Sequence, residues 1–248
     1  MQPKAPQSPV DARSASVPLD ELKMMAMARP APRGGVEALR GDRVAVVAEL
    51  DAGRADRCVL AEQYERCGAG AIAVPAGHLE HLSDVAARTE TPVISLEPAT
   101  SGYGLWLARA YGAHLVLVPA AQLPDEALVC LVERAESIGT AALVEVRDGR
   151  DLVRALRARA RALLLRPPLG AAPAAARTAL HDLLAMVPDR VVRVAECGPA
   201  GHSDLIACAR LGADAVLVGG ELLAGRDPGP TVARLASIGA HPALSRSR

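Results

Sequence analysis

Apolar residues along this chain come in short unbroken runs, and between the runs they recur at helical spacing. The runs are VAVVAEL (44–50), AIAVPA (71–76), PVISL (92–96), HLVLVPA (114–120), AALVEV (141–146), ALLLR (162–166), VVRVAE (191–196) and AVLVG (215–219). A continuous apolar run bounded by turn residues suits a parallel strand buried on both faces. Segments such as LAEQYERCGA, DEALVCLVERAESIG and SDLIACARLGA separate the runs, and several end in Gly, a helix stop signal. Eight strand–helix units predict an α/β chain of the (β/α)8 TIM-barrel kind. A doubly wound open sheet is the weaker reading, because no G-x-G-x-x-G follows the first run. LDELKMMAMA (19–28) predicts one extra N-terminal helix. The expected division is a disordered leader over 1–18, one barrel domain over 19–242 and a disordered tail over 243–248.

Composition narrows the picture. Half of the residues are hydrophobic, yet aromatics make up only 2 % and Phe is absent, so the core must be filled by Ala, Val and Leu. Lys plus Arg equals Asp plus Glu at 28 each. That balance argues against a nucleic-acid partner, which leaves a basic excess. The five cysteines have no C-x-x-C spacing and an odd count, which fits a reducing cytoplasm and neither a disulfide framework nor a zinc site. No apolar run approaches the ~20 residues that span a bilayer, so no membrane role is expected.

In a (β/α)8 barrel the site forms at the C-terminal ends of the strands. Glu49, Glu145 and Glu196 each interrupt or end an apolar run there, and Asp51 follows the first. A carboxylate is costly to bury unpaired, so three at equivalent places predict a polar pocket at the mouth. The structural alternative is ion pairing with Arg147, Arg166 and Arg193. Cys197 and Gly198 close the seventh run, and Gly219 and Gly220 close the eighth. Glycines there let backbone amides approach a phosphate, with a short helix near Glu221 presenting its N-terminus.

These segments resemble the indole-3-glycerol-phosphate synthase family, in its actinobacterial form. VVAEL matches the family's strand-one motif V-I-A-E-[VI], TPVIS matches I-P-V-L-R, and VVRVAECG matches V-I-x-[IV]-A-E-S-G. GADAVLVGGELL matches the strand-eight phosphate segment, and RLASIGAHP its ending. The resemblance runs from about Leu19 to the C-terminus. It implies a carbon–carbon lyase of tryptophan biosynthesis, without metal or cofactor. The family reaction is decarboxylating ring closure of 1-(2-carboxyphenylamino)-1-deoxyribulose 5-phosphate. Carried over, it makes Glu49, Glu145, Glu196 and the strand-one position Asp51 the catalytic candidates. Arg166, Cys197, Gly198, Gly219 and Gly220 become the substrate and phosphate candidates.

The same alignment marks departures. The family's strand-one Lys falls on Asp51, its strand-three general-acid Lys on Leu96, and its strand-six Asn on Arg166. The loop after strand one shrinks to Ala52-Gly53-Arg54-Ala55, and the loop after strand two is nearly deleted around Gly77-His78. The exchanges predict a barrel that binds a phosphorylated small molecule with the parent reaction impaired or lost. The alternatives are a lyase or isomerase on another phosphorylated, amine-bearing substrate, and a regulatory pseudoenzyme with a protein partner from tryptophan metabolism. His78, His81, His114, His181, His202 and His241 show no metal spacing with acids in the sequence. They are expected on surfaces or at helix ends.

Overall fold

The computed structural model describes residues 17–30, 34–198 and 200–244. Most of the expected leader (1–16) and tail (245–248) lies outside the described residues. Eight parallel strands close a barrel in sequence order: β1 Ala45–Glu49, β2 Ala71–Val74, β3 Val93–Ser95, β4 Leu115–Pro119, β5 Ala141–Val146, β6 Ala162–Leu165, β7 Val192–Glu196 and β8 Ala215–Val218. β8 pairs back onto β1, with Val47 opposite Leu217. Every strand falls inside one predicted apolar run. Closure leaves no open sheet edge.

Two helices precede the barrel, α1 (Leu19–Ala28) and α2 (Gly35–Leu39). The crossover helices are α3 (Arg57–Arg66), α4 (Leu79–Arg88), α5 (Gly102–Ala110), α6 (Asp125–Ser137), α7 (Gly149–Arg157), α8 (Pro173–Met186) and α9 (His202–Arg210), and α10 (Gly229–Gly239) follows β8. α7 starts where the Asp148 side chain accepts the Asp151 amide (2.8 Å), a cap that satisfies one orphan donor of the first turn. The predicted extra helix is α1, and it docks on α5. Arg29 Nε donates to the Ala110 carbonyl (2.9 Å), and the Tyr103 hydroxyl donates to the Val17 carbonyl (3.0 Å). Val17 and Leu244, just outside the expected domain limits, both pack against the core.

Strand side chains alternate between two apolar clusters, because successive residues face opposite sides of a strand. The outward set, including Val46, Ile72, Val116, Val144 and Val216, packs under the helices. The inward set, including Val47, Ala73, Ile94, Leu117, Leu164 and Val194, fills the barrel. Val36 and Leu39 of α2 join the inward cluster and plug the N-terminal end. Gly35 permits this, since a Cβ there would stand 2.5 Å from Leu115 Cδ1. Alanines at 71, 73, 162 and 215 fit among Leu and Val where no Phe exists. Truncating one of the buried leucines to Ala costs about 2–5 kcal/mol. Among the described residues, no helix is long and apolar enough to cross a membrane.

Candidate active site at the barrel mouth

The inward alternation carries one step further at the C-terminal ends. Residues two beyond Val47, Leu143, Leu164 and Val194 are Glu49, Glu145, Arg166 and Glu196, so all four point into the mouth. The structure brings them together. Arg166 Nη1 donates to Glu145 Oε2 (2.9 Å), and its Nε lies 3.1 Å from Glu196 Oε1, an ion-pair contact not aligned as a hydrogen bond. Arg147 Nε donates to the other Glu145 oxygen (2.8 Å), and its Nη1 donates to the Pro167 carbonyl (2.9 Å). The Glu145 side chain is only 12 % exposed, against 37 % for Glu196. Two arginines hold Glu145, and Glu196 shares one of them.

Glu49 sits deeper. Burial pushes its carboxyl above the ordinary value, and neighbouring Glu196 adds to the rise. Arg166 pulls it back in part. Its Oε2 occupies the space beside Gly219, where a Cβ would meet it at 2.3 Å. Gly219 therefore makes room for the Glu49 carboxylate, a role distinct from the amide-presenting one expected of it. A cleft of roughly 460 Å³ is lined by Glu49, Arg166, Glu196, Cys197, Gly198 and Gly220, among others. That size falls within the range of small-molecule sites. A second cleft of roughly 300 Å³ shares Glu49 and Gly220 and reaches Asp51 and Pro75.

The remaining candidates behave differently. Asp51 lines the smaller cleft, but its Oδ1 accepts the Gly53 amide (2.8 Å), and the carboxylate closes a local turn. Leu96 is 5 % exposed and belongs to the barrel's inner apolar cluster. Glu97, also buried, accepts the Gly77 amide (2.6 Å) and ties the β2–α4 loop to β3. Burial pushes the Cys197 thiol up to about 12, and its Sγ donates to the Gly201 carbonyl (3.3 Å), an environment that disfavours the reactive thiolate. A Cβ on Gly198 would stand 2.5 Å from Asp204 Oδ2, and that carboxylate also accepts the Ala200 amide (3.1 Å). Asp204 thus claims part of the loop expected to cradle phosphate. The short helix expected near Glu221 is a three-residue 3-10 turn, Gly220–Leu222.

Three further expectations are corrected. Arg193 faces away from the mouth acids, bonding the Val187 and Gly212 carbonyls and Asp189 (2.5 Å). His114 is buried, and its Nδ1 accepts the Val93 amide (3.1 Å). His78 and His81 do meet an acid, Glu80, with ligand-capable atoms within 4.8 Å of one another. The H-x-E-H spacing at a helix start carries that signal, because N-cap and first-turn side chains can meet.

The loops above the mouth are pinned down. Arg54 pairs with Asp56 (2.6 Å) and donates to the Arg226 carbonyl (3.1 Å), which clips the β1–α3 loop to the segment after β8. Arg57, 9 % exposed, donates to the Asp51 carbonyl (3.3 Å) and to that of Ala52. The β2–α4 loop has only Pro75 to His78 to span its gap.

Fold and site define a (β/α)8 barrel with a carboxylate–arginine mouth at its strand C-terminal ends. Residues 4–235 match the sequence profile of indole-3-glycerol phosphate synthase. The chain belongs to that family. An indole-3-glycerol phosphate synthase of Streptomyces griseus is 42 % identical over 95 % of this chain and 93 % of its own length. Indole-3-glycerol phosphate synthase 1 of Streptomyces coelicolor is 43 % identical over the same shares. The solved 3-hexulose-6-phosphate synthase from Salmonella typhimurium superposes with a TM-score of 0.65 over 79 % of this chain and 98 % of that one. At 17 % identity, it attests the fold alone.

Proposed function

We propose that this chain is an indole-3-glycerol-phosphate-synthase-like barrel that binds a phosphorylated small molecule at its mouth. In this reading the ring-closing chemistry of the family is impaired or lost. The observation that carries it is the distribution of lysine. The chain has two, Lys4 and Lys23, and none from residue 24 to 248. No barrel strand can supply an ammonium group. At the family's general-acid position stands Leu96, buried among Ile94 and Leu117 with no proton to give. A positioned general acid contributes about 10²–10⁴-fold. The cations at the mouth, Arg147 and Arg166, are engaged by Glu145 and Glu196, and a guanidinium is a poor proton donor. Neither suits proton delivery.

Arg166 and the backbone of Gly198 and Gly220 support the phosphate reading, since they line one cleft with a cation in it. Asp204 opposes it locally, which points to weaker phosphate binding than an unencumbered glycine loop would give. We place the chain in the cytoplasm without cofactor, with a protein partner from tryptophan metabolism.

A second reading is favoured by Glu49, whose carboxyl is raised by burial inside a cleft. It makes the chain a lyase or isomerase acting on another phosphorylated, amine-bearing substrate. Glu145 is then the base, Glu49 the acid partner and Arg166 the anion clamp. Asp51 is the poorer acid because its carboxylate is bonded to Gly53.

The test is turnover of 1-(2-carboxyphenylamino)-1-deoxyribulose 5-phosphate at high enzyme concentration, followed by indole fluorescence. The expected result is no signal above buffer. A saturating signal that vanishes in Glu145→Gln would overturn the proposal and make the chain a working synthase. Thermal-shift measurements with phosphorylated sugars and amines then separate a binding relic from the repurposed enzyme.

A further inference from the structure

Outside the mouth network, His78, Glu80 and His81 gather at the start of α4. His78 is the N-cap residue and Glu80 and His81 lie in the first turn. His78 Nδ1 is 3.7 Å, and His81 Nε2 3.6 Å, from Glu80 Oε1. The two imidazoles stack at 5.8 Å between centroids with 24° between planes. The three ligand-capable atoms lie within 4.8 Å of one another.

We propose that His78, Glu80 and His81 form a binding site for a divalent transition metal of the Zn²⁺ class. Two imidazoles and one carboxylate are a zinc ligand set, with bonds of about 2.0–2.2 Å. A tetrahedral ion with such bonds holds its ligand atoms about 3.3 Å apart. Both histidine–glutamate edges are within a few tenths of an ångström of that. These side chains are partly exposed, so small χ rotations can close the set. Three protein ligands leave a fourth position for water, the open arrangement of exchangeable sites. Nitrogen ligands disfavour Mg²⁺ and Ca²⁺, which take oxygen.

Arg57 Nη1 lies 2.7 Å from His81 Nε2. Arg57 is thus the competitor for that nitrogen. It can yield His81 and keep its bonds to the Asp51 and Ala52 carbonyls. The positive end of α4 and the Arg57 charge both weaken cation binding, so Zn²⁺ should be held as an exchangeable ion.

The full-length protein, stripped with chelator and then freed of it, is titrated with Zn²⁺ by calorimetry and with Co²⁺ by visible absorption. One saturable equivalent is expected. His78→Ala and His81→Ala should each weaken binding by at least about 100-fold, since even outer-shell partners cost 10–100-fold. Glu80→Gln, at a half-exposed position that should spare the fold, is expected to weaken it by about 10-fold or more and to remove most of the Zn²⁺-induced rise in melting temperature. Unchanged affinity in the double variant His78→Ala/His81→Ala would assign the ion to Cys130 or other surface groups and overturn the proposal. So would the absence of a saturable equivalent in the wild-type chain.

Discussion

On β5, β6, β7 and β1 the inward register ends in Glu145, Arg166, Glu196 and Glu49. On β2, β3 and β4 the same register, one step beyond Ala73, Ile94 and Leu117, ends in Pro75, Leu96 and Pro119. Both sets close the mouth of one barrel, and both stand on the same apolar layers. One side is held by charge and can bind ions or move protons. The other is an extension of the core. The contrast locates the change within this family member. Its charged side keeps the carboxylates that the family resemblance assigns to the site. Its apolar side has Leu96 where the resemblance places a proton donor.

The sharpest way to break that contrast is to put ammonium groups back. The double variant Asp51→Lys/Leu96→Lys is expected to raise ring-closing turnover by about 10²–10⁴-fold over the wild-type chain, the worth of a positioned general acid. Product fluorescence measures it. If turnover stays at background in a folded variant, the charged side has also lost the chemistry, and Arg166 becomes the next residue to exchange.

The two sides should also fail differently. Arg166→Ala leaves the largely buried Glu145 with Arg147 as its remaining cation and removes the charge that partly offsets burial at Glu49. Breaking a fully buried pair costs about 3–5 kcal/mol. The exposure of Glu196 reduces that here to about 2–3 kcal/mol, and added salt should shrink the loss. Leu96→Ala should cost a similar 2–3 kcal/mol through transfer and cavity terms, with no salt dependence. Denaturation at low and high salt distinguishes them. Equal salt responses would mean that the mouth network contributes little beyond packing.

Glu49 allows a finer test by pH. Its folded-state carboxyl titrates above the ordinary value, so the native state holds that proton more tightly than the unfolded chain. Its contribution to stability is complete below the unfolded value and is lost as pH rises through the raised one. Glu49→Gln removes that loss. The stability of the variant relative to wild type should therefore grow as pH rises above the ordinary carboxylate value and level off once it has passed the raised one. A pH-independent difference would mean that Arg166 fully compensates for burial. The smallest expected effect is at Cys197. At pH 8 it should stay unlabelled by iodoacetamide in the native protein while exposed Cys130 reacts, as peptide mass spectrometry would report. Rapid labelling of Cys197 would contradict its packing against Gly201.

The strand-end rule found the charged side in the sequence because period-two alternation is local and strict. Once Val47, Leu143, Leu164 and Val194 face inward, Glu49, Glu145, Arg166 and Glu196 must follow. The partners were not legible. Three acids and three arginines allow many pairings, and only the closed barrel chose Arg147 and Arg166 over Arg193. Asp51 looked like a site residue by position, but the two-residue reach to the Gly53 amide captured its carboxylate. Asp204 closing on Gly198 depends on how the loop before α9 folds back. The approach of His81 to Arg57, 24 residues away, depends on α3 lying beside α4.

The sequence by itself determined the eight strands, their order around the barrel, the extra first helix and the family. Those follow from hydrophobic period, turn residues and motif order, which are properties of the chain taken locally. It also determined that no barrel strand carries a lysine. Tertiary structure alone decided which charges neutralise one another, that Leu96 joins the core, that Gly219 makes room for Glu49, and that Arg57 reaches His81. Each of these depends on side chains from separate elements meeting within a few ångströms. Barrel closure and loop geometry set those meetings, and no local pattern encodes them.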